Sequence, residues 1–178
     1  MITFKKITWD QILHVWKEHL PNMALEKNSA MCLFLNNGKI LEKRWDEPMY
    51  DLQNMEFPAT FWGAFDDDKL IGVNSGHMTL NKFYRSRGLY VQEEYRKKHI
   101  GRKLLMKTMA QAKHEKAIAC WSYPKNSAIK CYQSLGFHSS GQDFNFHYEG
   151  DNIRALVIID RAELKNYFHP KPVVIELP

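Results

Sequence analysis

The stretch LYVQEEYRKKHIGRKLLMKTMAQA, residues 89–112, decides how the chain is organised. It opens on Leu89, Tyr90 and Val91, a short apolar run of strand type, passes through a polar and strongly basic turn, and becomes a helix. In that helix Ile100, Leu104, Leu105, Met109 and Ala112 recur at helical spacing, with Lys103, Lys107 and Gln111 opposite them. A helix start offers backbone N–H groups without an intrahelical acceptor and the positive end of the helix dipole. An anion is therefore stabilised there before any side chain contributes. Arg96, Lys97, Lys98, His99 and Arg102 surround that end with positive charge, and Gly101 lets a ligand come close to the backbone. Strand, basic turn and helix together predict a pyrophosphate cradle; the plainer alternative is an ordinary solvated helix start.

A second segment lies downstream. Residues 117–123 read as a buried strand, and NSAIKCYQSLGF, residues 126–137, follows. Asn126 reads as a helix N-cap, Ala128, Ile129, Tyr132 and Leu135 fall on one face, and Gly136 suits a left-handed helix end before Phe137 starts a strand.

Both segments carry a resemblance. Arg96-Lys97-Lys98-His99-Ile100-Gly101 resembles the Q/R-x-x-G-x-G/A acetyl-CoA loop of the GNAT superfamily of N-acetyltransferases, with His99 in place of the first glycine. Residues 126–137 resemble, in looser form, the second motif of that family, through Asn126, Ala128, Tyr132, Gly136 and Phe137. The resemblance covers roughly residues 61–160. It implies an α/β (α+β) fold with a mixed, mostly antiparallel sheet of about seven strands flanked by about four helices, in the order β-α-α-β-β-β-α-β-α-β-β.

The resemblance also implies an acyltransferase that moves groups other than aminoacyl groups, with acetyl-CoA as acyl donor and no metal. Pantetheine would pair along Leu89, Tyr90 and Val91 like an added strand. A splay between that strand and residues 117–123 would open the slot, with a backbone N–H near Val91 as oxyanion donor. Arg96, Lys97, Lys98, His99, Ile100, Gly101 and Arg102 would hold the pyrophosphate, and Asn126 would contact the cofactor or cap its helix. Tyr132 stands where the family places its general acid, and a phenol of pKa about 10 can protonate a leaving thiolate. The residue reading alone makes Tyr132 an amphipathic core residue.

Upstream, residues 1–7 alternate as a first strand. Thr8-Trp9-Asp10-Gln11 has the form of a capping box, and Trp9, Ile12, Leu13, Trp16 and Leu20 give the helix behind it an apolar face that ends before Pro21. Residues 21–58 are loosely patterned: 31–35 is apolar and Asn36-Asn37-Gly38 signals a turn. By resemblance this region supplies a helix and a loop that wall the acceptor site. Trp45, Asp46, Glu47, Tyr50, Asp51 and Glu56 could line an acidic, aromatic pocket for a cationic amine; the plainer reading is a solvated loop with aromatics tucked into the core.

Residues 59–65 and 70–80 read as a hairpin around Asp66-Asp67-Asp68-Lys69, with Ile71 and Val73 on one inward face. Asn81-Lys82 then turns the chain into residues 83–91. A further hairpin is expected over 143–148 and 153–160, a short helix over 161–168, and an extended tail over 169–178. Val173, Val174 and Ile175 in that tail could pack on this chain or on a second copy in a homodimer. Without repeat, low-complexity tract or linker, residues 1–178 read as a single domain.

Composition narrows the classes. Hydrophobic residues at 44% and charged residues at 25% are a globular mix, which excludes a disordered chain. Cys32, Cys120 and Cys131 show no C-x-x-C spacing, so neither a disulfide framework nor a zinc site is expected, and reduced thiols in a cytoplasmic protein are. No window approaches the ~18 apolar residues of a spanning helix, so no membrane partner is expected. The formal charge of +5 favours anionic partners, but the cations concentrate over residues 82–116, which include the proposed cradle. Phe83, Tyr84, Tyr90 and Tyr95 interleave with those cations, yet no helix-turn-helix, zinc or RNP-like pattern accompanies them, which leaves nucleic-acid binding as a lesser alternative. A non-catalytic CoA-binding module on the same scaffold is the other.

Transfer to a primary amine, of pKa about 10.4, also needs a base. Some relatives place a glutamate where this chain carries Arg85 and Arg87. His77, Glu93 and Glu94 are the nearby candidates, and a water chain would serve as well. The arginine pair alternatively permits an acceptor bearing a carboxylate or phosphate.

Overall fold

Thr8 starts the first helix as its spacing to Gln11 requires. The Gln11 N–H donates to Thr8 Oγ1 at 3.3 Å and the Thr8 N–H to Gln11 Oε1 at 3.0 Å, a closed capping box. A computed structural model describes residues 1–20, 31–36, 39–44, 50–51, 58–78, 82–139 and 155–158. Its elements are β1 (Ile2–Lys6), α1 (Trp9–His19), β2 (Met31–Asn36), β3 (Lys39–Arg44), β4 (Tyr50–Asp51), β5 (Thr60–Asp66), β6 (Lys69–Met78), β7 (Phe83–Val91), α2 (Ile100–His114), β8 (Ala119–Ser122), α3 (Ile129–Gln133), β9 (His138–Ser139) and β10 (Ala155–Ile158).

The main sheet has seven strands in the order β1-β5-β6-β7-β8-β10-β9 and is antiparallel except where β7 lies parallel to β8. Parallel neighbours need a long crossover, and α2 is that crossover. The mixed, mostly antiparallel architecture expected from the resemblance is therefore present. The chain between α1 and β5 adds something the residue pattern did not foretell: β2, β3 and β4 form a separate three-stranded antiparallel sheet. The second helix of the expected order, most of the acidic and aromatic pocket, the 143–148 strand, the 161–168 helix and the tail lie outside the described residues.

Ile71 and Val73 do not share a face. Val73 packs with Ile12, Val15, Trp16 and Leu20 of the α1 side, whereas Ile71 packs with Ala64, Ile100 and Leu104 on the α2 side. The reason is a register shift between Ala64 and Phe65: Ala64 pairs with Gly72 and Phe65 with Leu70, so Ile71 is the extra residue of a bulge and the alternation restarts beyond it. Val15 belongs to the buried stripe of α1, and Leu13 lies at its half-exposed margin.

A second shift separates Val73↔Tyr90 from Ser75↔Arg87, and Gly88 sits inside it at φ +71. The Trp16 indole N–H donates to the Gly88 carbonyl at 3.0 Å, tying α1 to the kink in β7. Gly88→Ala should lose about 2–4 kcal/mol in urea unfolding, because a Cβ there requires left-handed strain and overlaps the Trp16 ring. An unchanged midpoint would show that α1 yields without cost.

Candidate active site

The β7–β8 ladder is short. Phe83, Tyr84 and Arg85 pair with Ala119, Cys120 and Trp121, and β7 then runs on to Val91 without a β8 partner among the described residues. The pairing thus stops at a vertex just beyond Arg85 and Trp121, one residue before β8 itself ends at Ser122. The Leu89–Val91 end of β7 borders it. The Val91 carbonyl there accepts from Arg96 Nε at 3.0 Å, so Arg96 ties the basic turn back onto the strand.

The turn is anchored on its other side. Gln92 Nε2 donates to the Leu70 carbonyl at 3.0 Å, the Tyr95 hydroxyl to Asp66 Oδ2 at 3.2 Å, and Lys69 pairs with Glu94 at 3.2 Å. Lys69 and Lys98 both lie over the Tyr95 ring, at 5.4 and 5.2 Å. Lys97 and His99 take positive φ, 60° and 59°, so His99, which stands at the glycine position of the resembled motif, adopts a conformation that glycine takes without strain. His99 ends the turn as the N-cap of α2 and makes no side-chain cap bond, which leaves the first N–H groups of the helix for an outside acceptor. Arg96, Lys97, Lys98, His99 and Arg102 are all exposed around that start.

Ile100 is different: its side chain is buried against Ala64, Ile71 and Leu104, so only its backbone faces the turn. A Cβ on Gly101 would meet Cys131 Sγ at 3.4 Å, Val91 at 3.7 Å and Leu89 at 3.8 Å. Those are ordinary contacts. Packing among the described residues thus does not demand the bare backbone at Gly101, which borders the Leu89–Val91 end of β7.

Tyr132 projects from α3 into the vertex. Its hydroxyl lies 3.2 Å from Ser86 Oγ of β7 and accepts from Ser122 Oγ of β8 at 3.1 Å. These serines are the next residues after the last ladder pair, Arg85↔Trp121. Ser86 continues to Asn74 Nδ2 (3.0 Å), which reaches Thr108 Oγ1 of α2 (2.8 Å). All five side chains are buried, and burial pushes the Tyr132 phenol up to about 12, with the two serine hydrogen bonds pulling the other way. The resemblance singled out Tyr132, and neither it nor the residue pattern pointed to Ser86, Ser122, Asn74 or Thr108. The one legible hint was Thr108, a hydroxyl on the apolar face of α2 one turn beyond Leu104.

Asn126 does not cap a helix. It opens a 3-10 turn (Asn126–Ala128), its side chain is exposed, and the N-cap of α3 is Ala128 without a side-chain bond. The downstream Gly136 does take the left-handed helix end, at φ +85, and Phe137 is buried against Tyr132 edge-on. Of the base candidates, Glu93 and Glu94 are exposed on the cradle side, and Glu94 is held below the usual carboxylate range by backbone hydrogen bonding and Lys69. His77 is buried on β6 opposite Arg85, next to the vertex. Arg85 and Arg87 are buried on β7, and burial together with the Arg87 charge lowers the Arg85 pKa. A cleft of about 300 Å³ lined by Lys6, Phe61, Gln111, His114 and Glu115 lies at the far end of α2 from the cradle and is separate from it. No group of three metal-ligating side chains occurs among the described residues.

The acetyltransferase (GNAT) family matches residues 17–137. The chain belongs to the GNAT acetyltransferase family. Similar solved structures include a GNAT-family acetyltransferase from Staphylococcus aureus Mu50, at 18% identity and TM-score 0.59, covering 90% of this chain and 100% of that one. The ribosomal-protein-S18-alanine N-acetyltransferase of Escherichia coli is similar at 14% identity and TM-score 0.56, over 90% and 95% of the two chains. PaiA N-acetyltransferase from Thermoplasma acidophilum, solved in complex with coenzyme A, is similar at 17% identity and TM-score 0.57, over 89% and 99%. No curated protein sequence matches. At these identities the likeness concerns the fold of this GNAT acetyltransferase.

Two outcomes test the site's physical reading. His99→Gly should leave stability unchanged or raise it by up to about 1 kcal/mol, because the relieved left-handed strain exceeds the glycine entropy term, while His99→Val should lose about 1–2 kcal/mol; urea unfolding distinguishes them. The buried Tyr132 and Tyr84 hold their protons more tightly folded than unfolded. Their contribution to stability is complete below the unfolded tyrosine pKa of about 10 and is lost as pH rises beyond it, so the melting temperature should fall steeply from about pH 10 upward.

Proposed function

We propose that this GNAT acetyltransferase moves an acetyl group from acetyl-CoA to a primary amine, on a small molecule or a protein, by direct attack within a ternary complex. The observation that carries the reading is the Tyr132 phenol, held by Ser86 and Ser122 at the point where β7 and β8 part. A thioester laid along β7 with its sulfur at that vertex would have a proton donor beside the leaving atom.

The residues fit the acyl donor. The uncapped start of α2, ringed by Arg96, Lys97, Lys98, His99 and Arg102, offers backbone N–H groups and positive charge to a pyrophosphate. Gly101 leaves the backbone bare on the side of Leu89 and Val91, where the pantetheine arm would pair with the strand edge. A backbone N–H near Val91 would face the developing oxyanion, and the exposed Asn126 could reach the cofactor from the other wall. His99 already holds the left-handed geometry that the loop requires, which favours a working cradle over a scaffold that has lost its cofactor. The amine's proton would leave through His77 or through water. The free thiols of Cys120 and Cys131 suit a reducing, cytoplasmic setting, and no helix among the described residues is long and apolar enough to cross a membrane.

Acetyl-CoA at a hundredfold excess over its Kd should stabilise the protein by about 2.7 kcal/mol in thermal unfolding, and CoA should reproduce the shift. Gly101→Leu should abolish that shift while leaving the unliganded melting temperature close to the parent. Thiol release across a panel of amines should then reveal turnover, and Tyr132→Phe should lower kcat by roughly a hundredfold or more without raising the KM for acetyl-CoA. Absence of any shift at millimolar acetyl-CoA would sink the proposal at its first step.

A further inference from the structure

The hydrogen bonds around Tyr132 have a direction. Thr108 Oγ1 donates to the Leu104 carbonyl at 3.3 Å and so accepts from Asn74 Nδ2 at 2.8 Å. The other amide hydrogen of Asn74 goes to Ser86 Oγ at 3.0 Å. A serine hydroxyl has one proton, and with its oxygen already accepting, Ser86 passes that proton on. The Tyr132 oxygen at 3.2 Å is a nearer acceptor for it than Asn74 Oδ1 at 3.4 Å. From the opposite strand Ser122 Oγ donates to the same phenol oxygen at 3.1 Å. When the Ser86 proton points to Tyr132, two donors converge on one phenol oxygen, and the phenol's own proton is left outside the network.

We propose that Ser86 and Ser122 are positioning residues forming a hydroxyl clamp, which aims the Tyr132 proton into the split and hydrogen-bonds the phenolate left after that proton is given up. The clamp rests on the acid role of Tyr132 proposed above. In the step it serves, the amine nitrogen bonds to the acetyl carbonyl carbon and the carbon–sulfur bond breaks with its electron pair on sulfur. The phenolic proton moves to that sulfur, and the proton shed by the amine reaches water, from which the phenol is restored. Hydrogen bonds to the charged form favour that form, so two hydroxyl donors offset part of the burial that would otherwise make the phenol too weak an acid for the task. Because the serines occupy the first unpaired position of each strand, the clamp also fixes the phenol to the place where the split begins.

The test compares Ser122→Val with Ser122→Thr, which share a shape and differ in the hydroxyl, in protein carrying 3-fluorotyrosine at position 132. Phenol ionisation is read by fluorine NMR. Ser122→Val should lower the acid dissociation constant tenfold or more, Ser122→Thr should stay within about threefold of the parent, and Ser86→Ala should act in the same direction as Ser122→Val. The thermal shift given by CoA should be unchanged in all three, which a general loss of structure would not allow. Unaltered phenol ionisation in both Ser122→Val and Ser86→Ala would overturn the clamp. Parental kcat in Tyr132→Phe with the tested amine would instead remove the acid role, even where the ionisation shift is present.

Discussion

A phenol buried at the junction of two strands must find hydrogen-bond partners, and in this chain it finds one on each strand. Tyr132 bridges Ser86 of β7 and Ser122 of β8 immediately past their last paired residues. An unsatisfied buried hydroxyl costs about 1–3 kcal/mol, so three such groups meeting at one point constrain one another strongly. Where the β7–β8 pairing ends and how α3 is seated both follow from that meeting. The second link, from Ser86 through Asn74 to Thr108, carries the constraint to α2, the helix that starts at the basic turn.

The sheet can serve two helices on opposite faces because it is not a regular ladder. The bulge at Ile71 sends that side chain to α2 and its neighbour Val73 to α1. The kink at Gly88, held by the Trp16 indole, does the same for β7: Tyr84 packs towards α2 before it, and Leu89 and Val91, of the opposite parity, do so beyond it. Each extra residue reverses the alternation beyond it, and without both reversals the strand end that borders the cradle would present other side chains to each face.

The basic turn before α2 is electrostatic in its construction. Five exposed basic side chains, Arg96, Lys97, Lys98, His99 and Arg102, crowd one helix start, and the Tyr95 ring lies beneath the Lys69 and Lys98 ammonium groups. Such crowding of basic side chains is unfavourable in itself, and the left-handed residues Lys97 and His99 add backbone strain to it. The anchors from Gln92, Glu94 and Tyr95 to β5 and β6 keep the loop in shape against both terms.

Local patterns were legible in the residues. The capping box at Thr8, the apolar face of α2, the basic turn, the left-handed Gly136 and the order of the two motifs depend on neighbours within about four positions or on spacing along the chain, and each stands in the structure. Asn126 was misread because an Asn before a helix can cap it or open a 3-10 turn, and only the path of the preceding chain chooses between them. The bulges at Ile71 and Gly88, the small sheet of β2, β3 and β4, and the polar chain from Thr108 to Ser122 were decided by tertiary structure. Residues far apart in sequence there share one buried space, and the need to satisfy every hydroxyl and amide within it is a condition that no single segment can express.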